Sequence, residues 1–230
     1  MESVLLQIFN GVSLSSILLL TALGLMITFG LMKIINMAHG EFLMIGAYTT
    51  YCVQNFFLNF LPKAAFDAYY IVALPMSFIV SAAIGLGLER LLIRRLYGRP
   101  MDSLLVTFGV SLILQQLARN LFGTANVNVT SPSWLDGTLV ITDTLQLPVK
   151  RLFILGMAAA VCVGMYFLLY RSNAGRKVRA VMQNRPMAAC LGIPTKTIDA
   201  ATFAIGSGIA GLAGCALTLL GSIGPTLGAN

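Results

Sequence analysis

The chain has 230 residues, 57% of them hydrophobic and only 10% charged, with a formal net charge of +7. Soluble domains carry about 25% charged residues, so this composition excludes an ordinary soluble fold. No basic patch is interleaved with exposed aromatics, which excludes a nucleic-acid-binding surface as the reason for the charge.

Repeated apolar runs of about 20 residues predict an all-α, polytopic helical membrane protein with about six spans. The first covers Val4–Met32. It lacks a basic leader and a small-residue cleavage site, so it reads as a retained span, not a signal peptide. The others cover Phe42–Leu61, Tyr70–Ile93, Ser103–Phe122, Leu152–Tyr170 and Ala200–Ile223. Pro75 falls inside the third, where neighbouring helices or Ser77 can satisfy the freed backbone group. Residues 1–230 thus form one transmembrane domain, with an outer loop at 123–151 and an inner connection at 171–198. The four cysteines have no metal-ligand spacing and imply no disulfide framework.

Lys and Arg set the orientation. Lys33, Arg90, Arg94, Arg95, Arg99, Arg171, Arg176, Lys177, Arg179, Arg185 and Lys196 fall on one face under an alternating topology. Lys63, Arg119, Lys150 and Arg151 fall on the other. The bias places the first group in the cytoplasm and the N-terminus outside. In the outer loop, alternation around Asp136-Gly137 predicts a small hairpin.

The first and second spans are separated by the polar insert Asn36-Met37-Ala38-His39-Gly40-Glu41, within an interrupted region near residues 33–41. It holds the only histidine of the chain. Polar groups at membrane depth need a partner or water. Asn36, His39 and Glu41 therefore either line a substrate cavity or form a structural knot. In the knot, Asn36 caps the second span and Glu41 complements its positive end. One histidine without clustered carboxylates makes neither a metal site nor a catalytic one.

The fourth span carries Ser103, Thr107, Ser111, Gln115 and Arg119 at every fourth residue. Each step advances only about 40° around a helix, so they trace a slowly winding polar stripe. Thr107, Ser111, Gln115 and Arg119 are candidates for a substrate path; the alternative is hydrogen bonding between helices. In the sixth span, Gly206, Ser207, Ala210, Gly211 and Gly214 form small-xxx-small pairs suited to close packing.

Between the fifth and sixth spans, Val178, Val181 and Met182 recur at helical spacing with basic residues on other faces. Pro186 suits the first turn of a second short helix and Gly192 its C-terminal stop. The pair either lies on anionic lipid or docks a cytoplasmic partner.

Gly24-Leu25-Met26, Gly30-Leu31-Met32, Ile35 to Glu41 and Met44 to Tyr48 resemble the signature of branched-chain amino acid type ABC importer permeases. The inner stretch Gly175-Arg176, Arg179-Ala180, Asn184, Ala188-Ala189 and Leu191-Gly192-Ile193 resembles the coupling region of that family. Met37 and the run Gly46 to Tyr51 look most like its urea-transport branch; the amino-acid branch more often has Phe where this chain has Met37. The resemblance implies a bacterial inner-membrane permease subunit without cofactor or catalytic residues, forming part of a path for urea. A branched-chain amino acid or short amide is the chief alternative, and a channel or secondary transporter the second. It implies further spans after residue 230, and suggests a truncated chain. It also implies ABC ATPase subunits, a second homologous permease and a periplasmic solute-binding protein as partners, with Gly175, Arg176, Arg179, Ala188, Ala189 and Gly192 coupling to the ATPase. No P-loop occurs in this chain.

Overall fold

The computed structural model describes residues 2–32, 36–60, 63–97, 99–142 and 145–228. Among these residues are eight α-helices, with one hairpin between the fourth and fifth. These are α1 (Glu2–Met32), α2 (His39–Phe60), α3 (Tyr69–Leu91) and α4 (Pro100–Phe122). After the strands β1 (Thr138–Thr142) and β2 (Leu145–Pro148) come α5 (Val149–Tyr166), α6 (Asn173–Gln183), α7 (Arg185–Cys190) and α8 (Thr195–Leu217). Lys33, part of the orientation signal, lies outside the described residues.

Among the described residues, five helical stretches are long and apolar enough to cross a membrane: Gln7–Gly30, Phe66–Arg95, Met101–Phe122, Val149–Arg171 and Thr195–Leu217. The expected second span, α2, is as long as these but more polar. It carries His39, Glu41, Gln54, Asn55 and Asn59 among its apolar residues.

The bundle is organised around α8. Its most apolar window is 72% buried, whereas the other four spans bury 17–33%. The small residues predicted to favour close packing explain this. A Cβ on Gly206 would lie 2.6 Å from Thr28 Cγ2, and one on Gly24 2.6 Å from the Gly206 carbonyl oxygen. Gly211 faces Ser81 and Gly46, Gly214 faces the Leu43 backbone, and Ser207 faces Gly85. In lipid, helices associate through such packing, because apolar surface gains nothing by leaving apolar surface. The small-residue face of α8 is thus spent within this chain, on α1, α2 and α3.

Helix α8, the sixth expected span, also ends earlier than expected. The chain leaves α8 after Leu217, and Ile223 then exchanges two backbone hydrogen bonds with Val127, at 2.9 and 2.8 Å. From there it turns back until Gly228 rests against Gly40.

The hairpin is present, but Asp136-Gly137 is not its turn. Thr138 pairs with Pro148 and Thr142 with Leu145, so Asp136-Gly137 sits at the open end. Asp136 there pairs with Lys150 at 2.6 Å, and Val149 N–H donates to the Gly137 carbonyl. The loop before the hairpin is fastened to the α2–α3 connection. Asp67 accepts from Ser133 N–H at 2.8 Å, and Trp134 Nε1 donates to the Asp67 carbonyl at 2.9 Å.

Candidate functional site

The polar insert and the α4 stripe meet. Asn36, His39 and Glu41 are all buried, as are Ser103, Thr107 and Ser111. Ser111 Oγ and Gln115 Nε2 each donate to Glu41 Oε1 at 2.8 Å. Four residues earlier on the stripe, Thr107 Oγ1 accepts from Met37 N–H at 3.2 Å. Arg119, one further step along, is half-buried and takes no part in an ion pair among the described residues.

This meeting takes place inside the bundle. Helix α4 has 23 residues, about 34 Å at 1.5 Å per residue, and Ser111 lies at its midpoint. Helix α2 therefore starts partway through the bundle instead of at its edge. On the far side, His39 Nε2 donates to the Thr21 carbonyl at 3.1 Å, and Gly24 leaves room for the imidazole. Gly40 lets the Gly228 backbone come close, where a Cβ would collide with it. Three broken or returning segments thus converge: the insert, the start of α2 and the turn at Gly228.

The local chemistry follows from chain geometry. Asn36 Oδ1 accepts from Ala38 N–H at 3.1 Å, two residues on. It forms an Asx-type turn before the helix and does not cap an N–H inside it, contrary to the expectation for this residue. Glu41 does occupy the first turn of α2, where the positive helix end favours a carboxylate. Glu41 Oε2, Asn36 Nδ2 and His39 Nδ1 make no hydrogen bond among the described residues. Buried polar atoms are normally satisfied, so these atoms can serve a passing solute or water. They offer a carboxylate acceptor, an amide donor and an imidazole nitrogen. No group of three or more metal-ligating side chains occurs among the described residues.

A separate apolar groove of about 690 Å3 lies between α2, α3 and α4, lined by Tyr48, Phe56, Met76, Leu114 and Phe122 among others. It shares no residue with the polar cluster.

The inner connection folds as its sequence predicts. Ser172 caps α6 by accepting from Gly175 N–H at 3.0 Å, and Asn184 caps α7 by accepting from Met187 N–H at 3.1 Å. Pro186 lies in the first turn of α7, and Gly192 adopts φ +78° just beyond it. Ile193 N–H there returns to the Ala188 carbonyl at 3.0 Å, the closure typical of a glycine stop.

A feature that sequence periodicity could not reveal is the turn joining α5 to α6. Phe167–Arg171 forms one π-helical turn, a wider winding that leaves carbonyls without their usual partners. Gly175 sits directly against the Leu168 and Leu169 carbonyls, where no Cβ fits. The Arg179 guanidinium donates to the Leu169 carbonyl and covers the Tyr170 ring, while Arg176 bonds Asn173. Ala188 is buried against the bundle, but Ala189 and Gly192 are exposed, as are Met187 and Leu191.

Arg185 and Asp199 were not singled out by the sequence reading. Arg185 pairs with the fully buried Asp199 and lies over the Tyr97 ring at 4.0 Å. The available signal was an acidic residue directly before the last apolar run.

A family model described as branched-chain amino acid transport system / permease component matches residues 7–229. The permease protein BraD of Pseudomonas aeruginosa, of a high-affinity branched-chain amino acid transport system, is 29% identical over 228 residues. The corresponding LivH proteins of Salmonella typhimurium and Escherichia coli are each 31% identical over 236 residues. In all three cases the match covers 96% of this chain and 73% of the relative. No solved structure matches the chain.

Proposed function

The chain belongs to the branched-chain amino acid ABC transporter permease family, and we propose that it forms part of the translocation path for a branched-chain amino acid. It is a multi-pass membrane transport subunit, not an enzyme. The observation that supports the proposed path is the buried Glu41 carboxylate. It is held at one oxygen by Ser111 and Gln115, and its other oxygen is unbonded among the described residues. A fixed carboxylate inside a bundle suits the ammonium group of an amino acid, while Arg119, two helical turns away on the same stripe, suits its carboxylate.

Asn36, His39 and Thr107 complete the polar wall in this proposal. Gly175, Arg176, Arg179, Ala188, Ala189 and Gly192 belong to the region that receives ATPase movement. The partners are the ATPase subunits, a second homologous permease and a periplasmic solute-binding protein, with the α6–α7 end in the cytoplasm and the N-terminus outside.

Urea is the second reading, since amides and hydroxyls also match a small neutral solute. The resemblance to the urea branch leans on Met37, yet the Met37 side chain is 50% exposed and only its backbone N–H reaches Thr107. Each relative named above is a branched-chain amino acid permease, which favours the first reading. Uptake of radiolabelled leucine and urea in a strain deleted for this gene tests both. Loss of leucine uptake alone is expected; loss of urea uptake alone would overturn the amino acid assignment.

A further inference from the structure

The α6–α7 end of the bundle holds two carboxylates that the polar stripe does not use. Glu89, in the last turns of α3, and Asp199, in the second turn of α8, are both fully buried. Neither Glu89 oxygen makes a hydrogen bond among the described residues, nor does Asp199 Oδ1. Glu89 lies within electrostatic reach of Asp199 and of Arg94, Arg90 and Arg185. Of these cations, only Arg185 closes an ion pair with Asp199, and it comes from α7. Its guanidinium also rests on Tyr97, in the link between α3 and α4. One side chain of a six-residue helix thus touches the start of α8 and the α3–α4 link, and acts on the end of α3.

Burying two carboxylates costs free energy that a paired cation offsets, and taking away one partner leaves the other charge uncompensated. The seam at risk is α3 against α8, where Gly85 meets Ser207 and Gly211 meets Ser81. If α7 shifts outward, Arg185 leaves, and the buried Asp199 loses its ion pair at the α7 end of that seam.

We infer that Arg185 is a positioning residue, a latch through which movement of α7 opens the α3–α8 seam. The inference rests on the ABC importer reading. With the latch closed, the seam is held by charge neutralisation as well as by small-residue packing. With it open, the seam keeps its small-residue packing and the Arg90 and Arg94 charges but loses the ion pair, and the end of the path beside α7 can widen. The exposed face of α7, carrying Met187, Ala189 and Leu191, remains free to take up the displacement.

The test uses the complete importer, with its ATPase, second permease and binding protein, in proteoliposomes. The readouts are ATP hydrolysed per leucine transported and the amount of ATPase that copurifies. Arg185→Gln and Asp199→Asn should each raise the ATP-per-leucine ratio by about fivefold or more, with ATPase copurification unchanged. Arg185→Lys keeps the charge and should stay near wild type. The double variant should be no worse than either single one, because both remove the same interaction. An unchanged ratio in the single variants, or effects that multiply in the double, would overturn the latch. Loss of the ATPase from Asp199→Asn would make the pair a structural tether and overturn it as well. A wild-type chain that brings down no ATPase would instead remove the importer reading on which the latch rests.

Discussion

Ser111 reaches Glu41 across 70 residues of sequence and donates to its Oε1 at 2.8 Å, halfway along α4. This bond joins two features that the sequence presents separately, a polar insert and a polar stripe. Glu41→Gln should keep the shape of the cluster but remove its charge. In the amino acid reading it lowers leucine uptake at least tenfold at low substrate, a loss of about 1.4 kcal/mol or more. Equal leucine uptake in wild type and variant at matched expression would show that the carboxylate only orders the α1–α2 connection.

Gln115 offers an amide to the same oxygen, also at 2.8 Å. Gln115→Leu removes that donor and leaves a buried carboxylate with one hydrogen bond fewer, a cost of roughly 1–3 kcal/mol. Leucine uptake should fall strongly, measured as initial rate below saturation. Arg119→Gln separates the two solutes. An amino acid carboxylate loses a cation and its apparent affinity drops, whereas a neutral solute such as urea is affected little. Competition of each solute against labelled leucine measures the difference.

The two alanines at the centre of α7 have opposite environments. Ala189 is exposed, so Ala189→Asp should leave the chain folded in the membrane yet weaken ATPase docking. Ala188 is 3% exposed, so Ala188→Asp buries an unpaired charge and should lower the amount of folded chain itself. Membrane-fraction yield and ATPase pull-down distinguish the two outcomes. Equal pull-down by Ala189→Asp and wild type would leave α7 as a lipid-facing anchor only.

Helix packing gives the fourth prediction. Gly46 lies against the Gly211 backbone with no room for a Cβ. Gly46→Ala should force α2 away from α8 and destabilise the bundle by about 1–3 kcal/mol, as overpacking does elsewhere. Gly156, with nothing near its Cβ position, is the control, and Gly156→Ala should be neutral. Thermal unfolding of the detergent-solubilised protein reads both.

The segments most legible in the sequence are those whose signals are local. Apolar runs gave α1, α3, α4 and α5 to within a few residues, since length in an apolar solvent is a one-dimensional requirement, whereas α8 (Thr195–Leu217) starts and ends earlier than its expected run. Pro186 and Gly192 gave the ends of α7, because capping is settled within four residues of the chain; the caps at Ser172 and Asn184 follow the same local rule but came from the structure. The hairpin turn was misplaced because Asp136-Gly137 is good turn chemistry wherever it occurs, and the strand register was fixed by pairing further along. Helix α2 (His39–Phe60) lies close to its expected bounds, Phe42–Leu61, but periodicity does not report its depth. Its start is held inside the bundle by Thr21, Thr107, Ser111 and Gly228, which are distant in sequence.

Composition and spacing by themselves determined a helical membrane protein, a polar insert, a stripe of polar groups on α4 and two short helices on a basic connection. Those properties depend on each residue's own chemistry and on helical periodicity. Only the tertiary structure decided that the insert and the stripe form one cluster around Glu41, that the small face of α8 is used up within the chain, and that Arg185 finds Asp199. Each of these depends on which helix backbones can approach closely. That is a matter of side-chain volume summed over several helices at once, and no single stretch of sequence carries it.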